Sequence, residues 1–183
     1  MRFVALDSNQ KLEEQIRWLR KILTNNPNRW TILTFHHPVF SPARDRDNKE
    51  LRELWKPILD EFKVDLVLNG HDHSYSRTGA LPEGVKLVNV PEGYQQAYDP
   101  NIGTVYVVSV SGPKMYPISK GEYAVRLAED TQLYQVIDVE TNELQYKAYT
   151  ATGQLYDAFT IKKRPGLPNQ LLELLPPENR SDQ

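Results

Sequence analysis

The 183 residues contain no cysteine, which excludes disulfide staples and thiolate metal ligands and leaves the redox compartment open. Positive charge is not in excess: 22 Lys and Arg stand against 24 Asp and Glu, so the chain offers no basic field for a polyanion and nucleic acid is not an expected partner. Single basic residues remain able to hold one phosphate. No apolar run approaches the ~20 residues of a membrane span and no charged-then-apolar leader opens the chain, so a membrane is not an expected partner either. Histidine is scarce, with four in all. What is present is an ordinary globular mixture, 39% hydrophobic and 25% charged, sufficient for one substantial core and a single main domain.

The first part of the chain alternates strand and helix. Phe3–Leu6 reads as a strand, Asp7-Ser8-Asn9 as a helix cap, and Leu12, Ile16, Leu19 and Leu23 as one apolar helical stripe. Trp30–Phe35 is a second strand, and the stripe Leu51, Leu54, Trp55, Ile58, Leu59, Phe62 a second helix that Pro57 is expected to kink or divide. Val64–Asn69 is a third strand, apolar enough to expect helices on both faces. After an irregular stretch, Thr78–Gly103, the run Thr104–Ser111 is another core strand, and Leu133–Val139, Leu144–Tyr149 and Leu155–Ile161 form an antiparallel meander. The expected fold is α/β: a layered sheet of parallel βαβ units followed by an antiparallel C-terminal meander. Residues 1–163 form the domain, and 164–183 a Pro-rich tail without regular structure apart from Gln170–Leu175. Asn179-Arg180-Ser181 is a frequent triplet that carries little weight as a glycosylation signal.

All four histidines fall at the ends of two buried strands, in Phe35-His36-His37-Pro38 and in Gly70-His71-Asp72-His73. Ligands of layered α/β sheets gather beyond the carboxyl ends of strands, and imidazole suits Zn²⁺ and Fe, so the pattern points to a metal site. His71 and His73 are two apart and in an extended loop would project to opposite sides, toward two different ions, with His36 joining either.

The motifs His36-His37-Pro38 and Gly70-His71-Asp72-His73-Ser74-Tyr75-Ser76-Arg77 resemble the two C-terminal metal motifs of the calcineurin-like metallophosphoesterases, most closely the purple acid phosphatase branch. In that branch Gly-His-x-His runs into Tyr-Glu-Arg, and Ser76 departs from it at a position that is not a ligand. The resemblance extends to the opening Val-Ala-Leu-Asp strand, the helix with Gln15 and Trp18-Leu19, and the closing Tyr134–Thr160 meander. It implies a hydrolase with a dinuclear centre of Zn, Fe or Mn, in which His36 and His71 bind one ion and His73 the other, the metals activate water, and the substrate is a phosphoester. His37 would face substrate or support a ligand, and Arg44 or Arg46 would bring a guanidinium to the phosphate. Asp72 would either accept a hydrogen bond from a ligand imidazole or face solvent. Tyr75 and Arg77 would brace the loop, and Lys114 and Tyr116 read as a structural loop. A secreted or periplasmic setting is also implied.

The same resemblance implies further ligands from an N-terminal half: an Asp-x-His, a Gly-Asp and a Gly-Asn-His motif. The chain contains no Gly-Asp and no Gly-Asn-His. The expectation is therefore the C-terminal portion of a phosphoesterase, inactive alone and partnered by its missing N-terminal half, with self-association through an exposed sheet edge. The rival is a non-catalytic module retaining at most one metal. A mononuclear hydrolase completed by Asp72 or Asp99 has no motif behind it.

Overall fold

A computed structural model describes residues 1–119 and 121–174. The chain runs β1 (Arg2–Ala5), α1 (Leu12–Thr24), β2 (Thr31–Phe35), α2 (Lys49–Glu61), β3 (Leu66–Asn69), β4 (Tyr75–Arg77), a 3-10 turn (Tyr94–Gln96), β5 (Val105–Val108), β6 (Arg126–Ala128), β7 (Leu133–Val139), β8 (Glu143–Thr150), β9 (Leu155–Arg164) and β10 (Leu167–Glu173). A six-stranded sheet has the order β1-β2-β3-β5-β4-β6, and a four-stranded one β10-β9-β8-β7. β1, β2, β3 and β5 are mutually parallel; β4 runs antiparallel to both β5 and β6. The second sheet is antiparallel throughout. The parallel βαβ units and the meander thus follow the expected α/β pattern.

The period of two along each strand sorts its residues between two cores. Leu33, Phe35, Val67 and Tyr106 face α1 and α2, where Leu19, Leu23, Trp55 and Leu59 meet them. Ile32, Leu66, Val105 and Val107 face the second sheet and pack on Leu144, Tyr146, Phe159 and Ile161. The expectation of helices on both faces is therefore corrected. β3 is apolar up to Asn69 because helices cover one face and a second sheet the other, two covers that demand the same composition.

Three further differences have local causes. The Asp7-Ser8-Asn9 cap does not form: Lys11 occupies the N-cap at φ 55° without a side-chain bond. Asp7 instead accepts from the backbone N–H of Asn9 at 2.9 Å, closing its own turn, and Ser8 is turned inward. Pro57 neither divides nor ends α2, which is one helix over Lys49–Glu61. Pro57 and Glu53, whose carbonyl loses its partner, both lie on the exposed side, where water can take that bond. Finally, Pro165-Gly166, with Gly166 at φ 70°, turns the chain from β9 into β10, so regular structure continues through Glu173. The remainder of the expected tail, including Leu175 and the Asn179 triplet, lies outside the described residues.

Candidate metal centre

The two histidine motifs leave neighbouring strands side by side. β2 and β3 are in register to their last residues, Phe35 opposite Asn69. Asn69 Nδ2 donates to the Phe35 carbonyl at 2.9 Å and the Gly70 N–H to the His36 carbonyl at 3.0 Å, so the backbone at both motifs is tied together. His71 then takes a left-handed conformation, φ 64°. Tight contacts close the turn on either side, from Asp72 N–H to Gly70 O at 2.7 Å and Ser74 N–H to Asp72 O at 2.6 Å. A non-glycine residue held at positive φ is strained, and such strain concentrates at working sites. The loop is therefore a turn at His71 and not extended as expected.

Three imidazoles meet. One nitrogen each from His36, His37 and His71 lies within 4.8 Å of the others. His36 Nε2 and His71 Nδ1 are 2.9 Å apart, and the His37 and His71 rings are 4.2 Å between centroids. Cis nitrogens bound at ~2.1 Å to an octahedral ion would be about 3.0 Å apart, so this pair fits a common cation. Burial first, then the neighbouring His37 and Arg46 charges, push the His71 pKa down to about 4. Burial, followed by His36, also lowers that of His37. His37 and His71 thus prefer neutral imidazole, the form that ligates.

His73 is outside this group. Its Nδ1 bonds the Lys114 carbonyl at 2.8 Å, leaving Nε2 for a ligand, and its ring stacks on Tyr116 at 4.5 Å. Asp72 is fully buried and accepts from Ser41 Oγ, with Arg46 at 3.4 Å. Its partners are a hydroxyl and a guanidinium, where an imidazole or solvent was expected. Arg44 is exposed. Tyr75 and Arg77 point away from the histidines into the sheet interface: Tyr75 donates to Asp157 at 2.7 Å, and Arg77 forks onto Asp157 and Glu173 at 2.6–3.0 Å. Burial opposes the Arg77 charge, but Glu173 and Asp157 outweigh it and hold its pKa above the ordinary value.

Sequence reasoning missed Ser8. Its Oγ accepts the His37 N–H at 2.8 Å and lies 3.0 Å from His37 Nδ1, linking the end of β1 to the cluster. A hydroxyl already accepting has its own hydrogen to give, which favours the His37 tautomer protonated on Nε2. Ser8→Ala is expected to cost about 1 kcal/mol of stability by urea unfolding. A loss below about 0.3 kcal/mol would show that the bond adds nothing net.

Comparison with known proteins agrees with the fold. The calcineurin-like phosphoesterase family model matches residues 2–75. Purple acid phosphatase 17 of Arabidopsis thaliana is 42% identical over 65 residues, 36% of this chain and 19% of that protein. An uncharacterized protein of Mycobacterium tuberculosis is 32% identical over 114 residues, 57% of this chain and 22% of that one. The solved purple acid phosphatase from yellow lupin seeds superposes with a TM-score of 0.65 at 21% identity, over 87% of this chain and 31% of its own. Over residues 2–75 the chain is thus similar to the calcineurin-like phosphoesterases, and purple acid phosphatases are among the proteins it resembles in sequence and in fold. It spans about a fifth of the length of the curated relatives just described. Among the described residues, no helix is long and apolar enough to cross a membrane.

Proposed function

We propose that this chain carries the histidine side of a metal-dependent phosphoester hydrolase centre and works as the C-terminal portion of such an enzyme. The observation supporting this reading is the meeting of His36, His37 and His71 within 4.8 Å where β2 and β3 end together. A bound divalent ion would supply Lewis acidity toward a phosphoryl oxygen and acidify a water. In this reading His36 and His71 hold one ion and His73 serves a second. His37, oriented by Ser8, faces the substrate, and Arg44 and Arg46 offset the charge of substrate phosphate, with Asp72 orienting Arg46. The one cluster with metal-ligand spacing among the described residues contains no carboxylate. Three neutral imidazoles cannot offset the repulsion between two cations, so carboxylates from outside the described residues complete the site.

Elemental analysis for zinc, iron and manganese, with an aryl phosphate assay on this chain and on the full-length protein, tests the proposal. At most one ion per chain without turnover, and turnover at full length, is expected. Two tightly bound ions with turnover on the 183 residues would refute the division of the site. Absence of metal and turnover from both proteins would refute the hydrolase.

The carboxylate-free cluster also favours a second reading, a non-catalytic module that binds one ion, for which the full-length protein would hold metal and remain inactive. If Arg44 and Arg46 meet phosphate of the substrate, replacing both by Ala in the full-length enzyme should lower kcat/KM about tenfold, ~1.4 kcal/mol. Unchanged kinetics would return both to solvent.

A further inference from the structure

Two loops from separate strand ends are fastened to each other beside His73. Ala43, in the loop after β2, bridges Ile118, in the loop after β5. Arg44 N–H donates to the Pro117 carbonyl at 3.1 Å and Ser119 N–H to the Pro42 carbonyl at 3.0 Å. The second loop is also tied to the metal motif, by Tyr116 N–H donating to the His73 carbonyl at 2.9 Å and by His73 Nδ1 on the Lys114 carbonyl.

This arrangement gathers cations on one phenol. The Arg46 guanidinium carbon lies 4.5 Å from the Tyr116 ring centroid and the Lys114 ammonium 5.2 Å from it. Nearby carboxylates are engaged: Asp47 binds Arg52 at 2.6 Å, Glu129 accepts the Ile118 N–H, and buried Asp72 accepts from Ser41 while orienting Arg46. Asp45 is exposed, at φ 58°.

We propose that Arg46, Lys114 and the Tyr116 hydroxyl form a subsite for a second anionic group of the substrate, so that the preferred substrates carry a further phosphate beside the scissile one. The inference rests on the histidines being the reacting centre. Two cations converging on one phenol, with the nearby carboxylates committed elsewhere, place charge-assisted donors where an anionic oxygen would be held. The phenol lies one ring beyond His73, and His73 is itself outside the His36, His37 and His71 group. The subsite therefore addresses a group other than the reacting phosphoryl. Arg46 is the fixed element because Asp72 orients its fork, and exposed Lys114 on its flexible stem is the adaptable one.

Calorimetric titration of the metal-free 183-residue chain at low salt with inorganic pyrophosphate, and separately with orthophosphate, tests this. Pyrophosphate is expected to bind about tenfold or more tightly than orthophosphate, the worth of one further charge-assisted bond. Lys114→Ala and Tyr116→Phe should each bring pyrophosphate close to the orthophosphate affinity. Because Lys114 is exposed, its variant removes charge without threatening the fold, and circular dichroism verifies that. Equal affinities for the two anions, no binding of either, or a pyrophosphate affinity untouched by Lys114→Ala overturns the subsite. The measurement contains no metal, so its outcome is separable from that of the hydrolase proposal. A chain that binds zinc without preferring pyrophosphate refutes the subsite alone; one that prefers pyrophosphate through Lys114 while the full-length protein holds no metal refutes the metal centre alone.

Discussion

Asp157→Ala is expected to lower the free energy of unfolding by about 3–5 kcal/mol, measured by urea denaturation with an unchanged dependence on denaturant. Asp157 is fully buried in β9 of the four-stranded sheet and receives Arg77 Nε at 2.6 Å, Arg77 NH2 at 3.0 Å and the Tyr75 hydroxyl at 2.7 Å, all from β4 of the other sheet. Arg126 lies 3.5 Å away. Removing the carboxylate leaves the buried guanidinium with Glu173 as its remaining acid partner and deprives the buried Tyr75 hydroxyl of its strongest acceptor. The cost is that of stranded polar groups in a dry interface, which exceeds what the intact pair contributes relative to apolar residues. An Arg77→Met and Asp157→Leu double variant should accordingly recover a large part of the loss. A single-variant cost below 1 kcal/mol would mean that water reaches the pair.

This pair bears on the site because β4 begins two residues after His73. Arg77 anchors the outgoing end of the histidine loop to the second sheet, while Gly70 ties the incoming end to His36. The strained turn at His71 is thus clamped on both sides, which is how an unfavourable backbone conformation persists. The motif running from Gly70 to Arg77 does two jobs: His71 joins the cluster, and Tyr75 and Arg77 hold the two sheets together.

The strands that bear the histidines were legible because their apolar runs end abruptly in polar loops, and the parallel pairing of β2 with β3 follows from the intervening helix. Short antiparallel strands were not. Tyr75–Arg77 and Arg126–Ala128 are three residues each, too short to display alternation, and their pairing depends on residues about fifty positions apart. Ser8 carries no periodic signal, and its role appears only once β1 and β2 are adjacent. Asp157 did leave a signal. It shares strand parity with Phe159 and Ile161, both core residues, so an acid at that position had to be buried and to find a cation. That His73 stands apart from His71 was expected from their spacing, but its cause was not legible, because it depends on the turn at His71 and on a distant loop, Lys114–Tyr116, that holds the His73 ring.

His36→Ala and His71→Ala are each expected to weaken zinc binding by the 183-residue chain about 100-fold or more, beyond the 10- to 100-fold typical of losing a group that only supports a ligand. The two nitrogens are 2.9 Å apart, so removing either leaves the ion one imidazole from this pair. Water is then the available replacement. His73→Ala should change the affinity little, because His73 lies outside the cluster and its ring is committed to Tyr116 and Lys114. Ser8→Ala should fall between, since it loosens His37 without removing a nitrogen. Zinc affinity measured by competition with a chromophoric chelator orders the four variants. The order His36 and His71 first, then Ser8, then His73 follows from the geometry of one ion seated among the clustered rings. Equal losses at His73 and His36 would mean that the ion bridges the two groups, and that the His71 turn opens when metal binds.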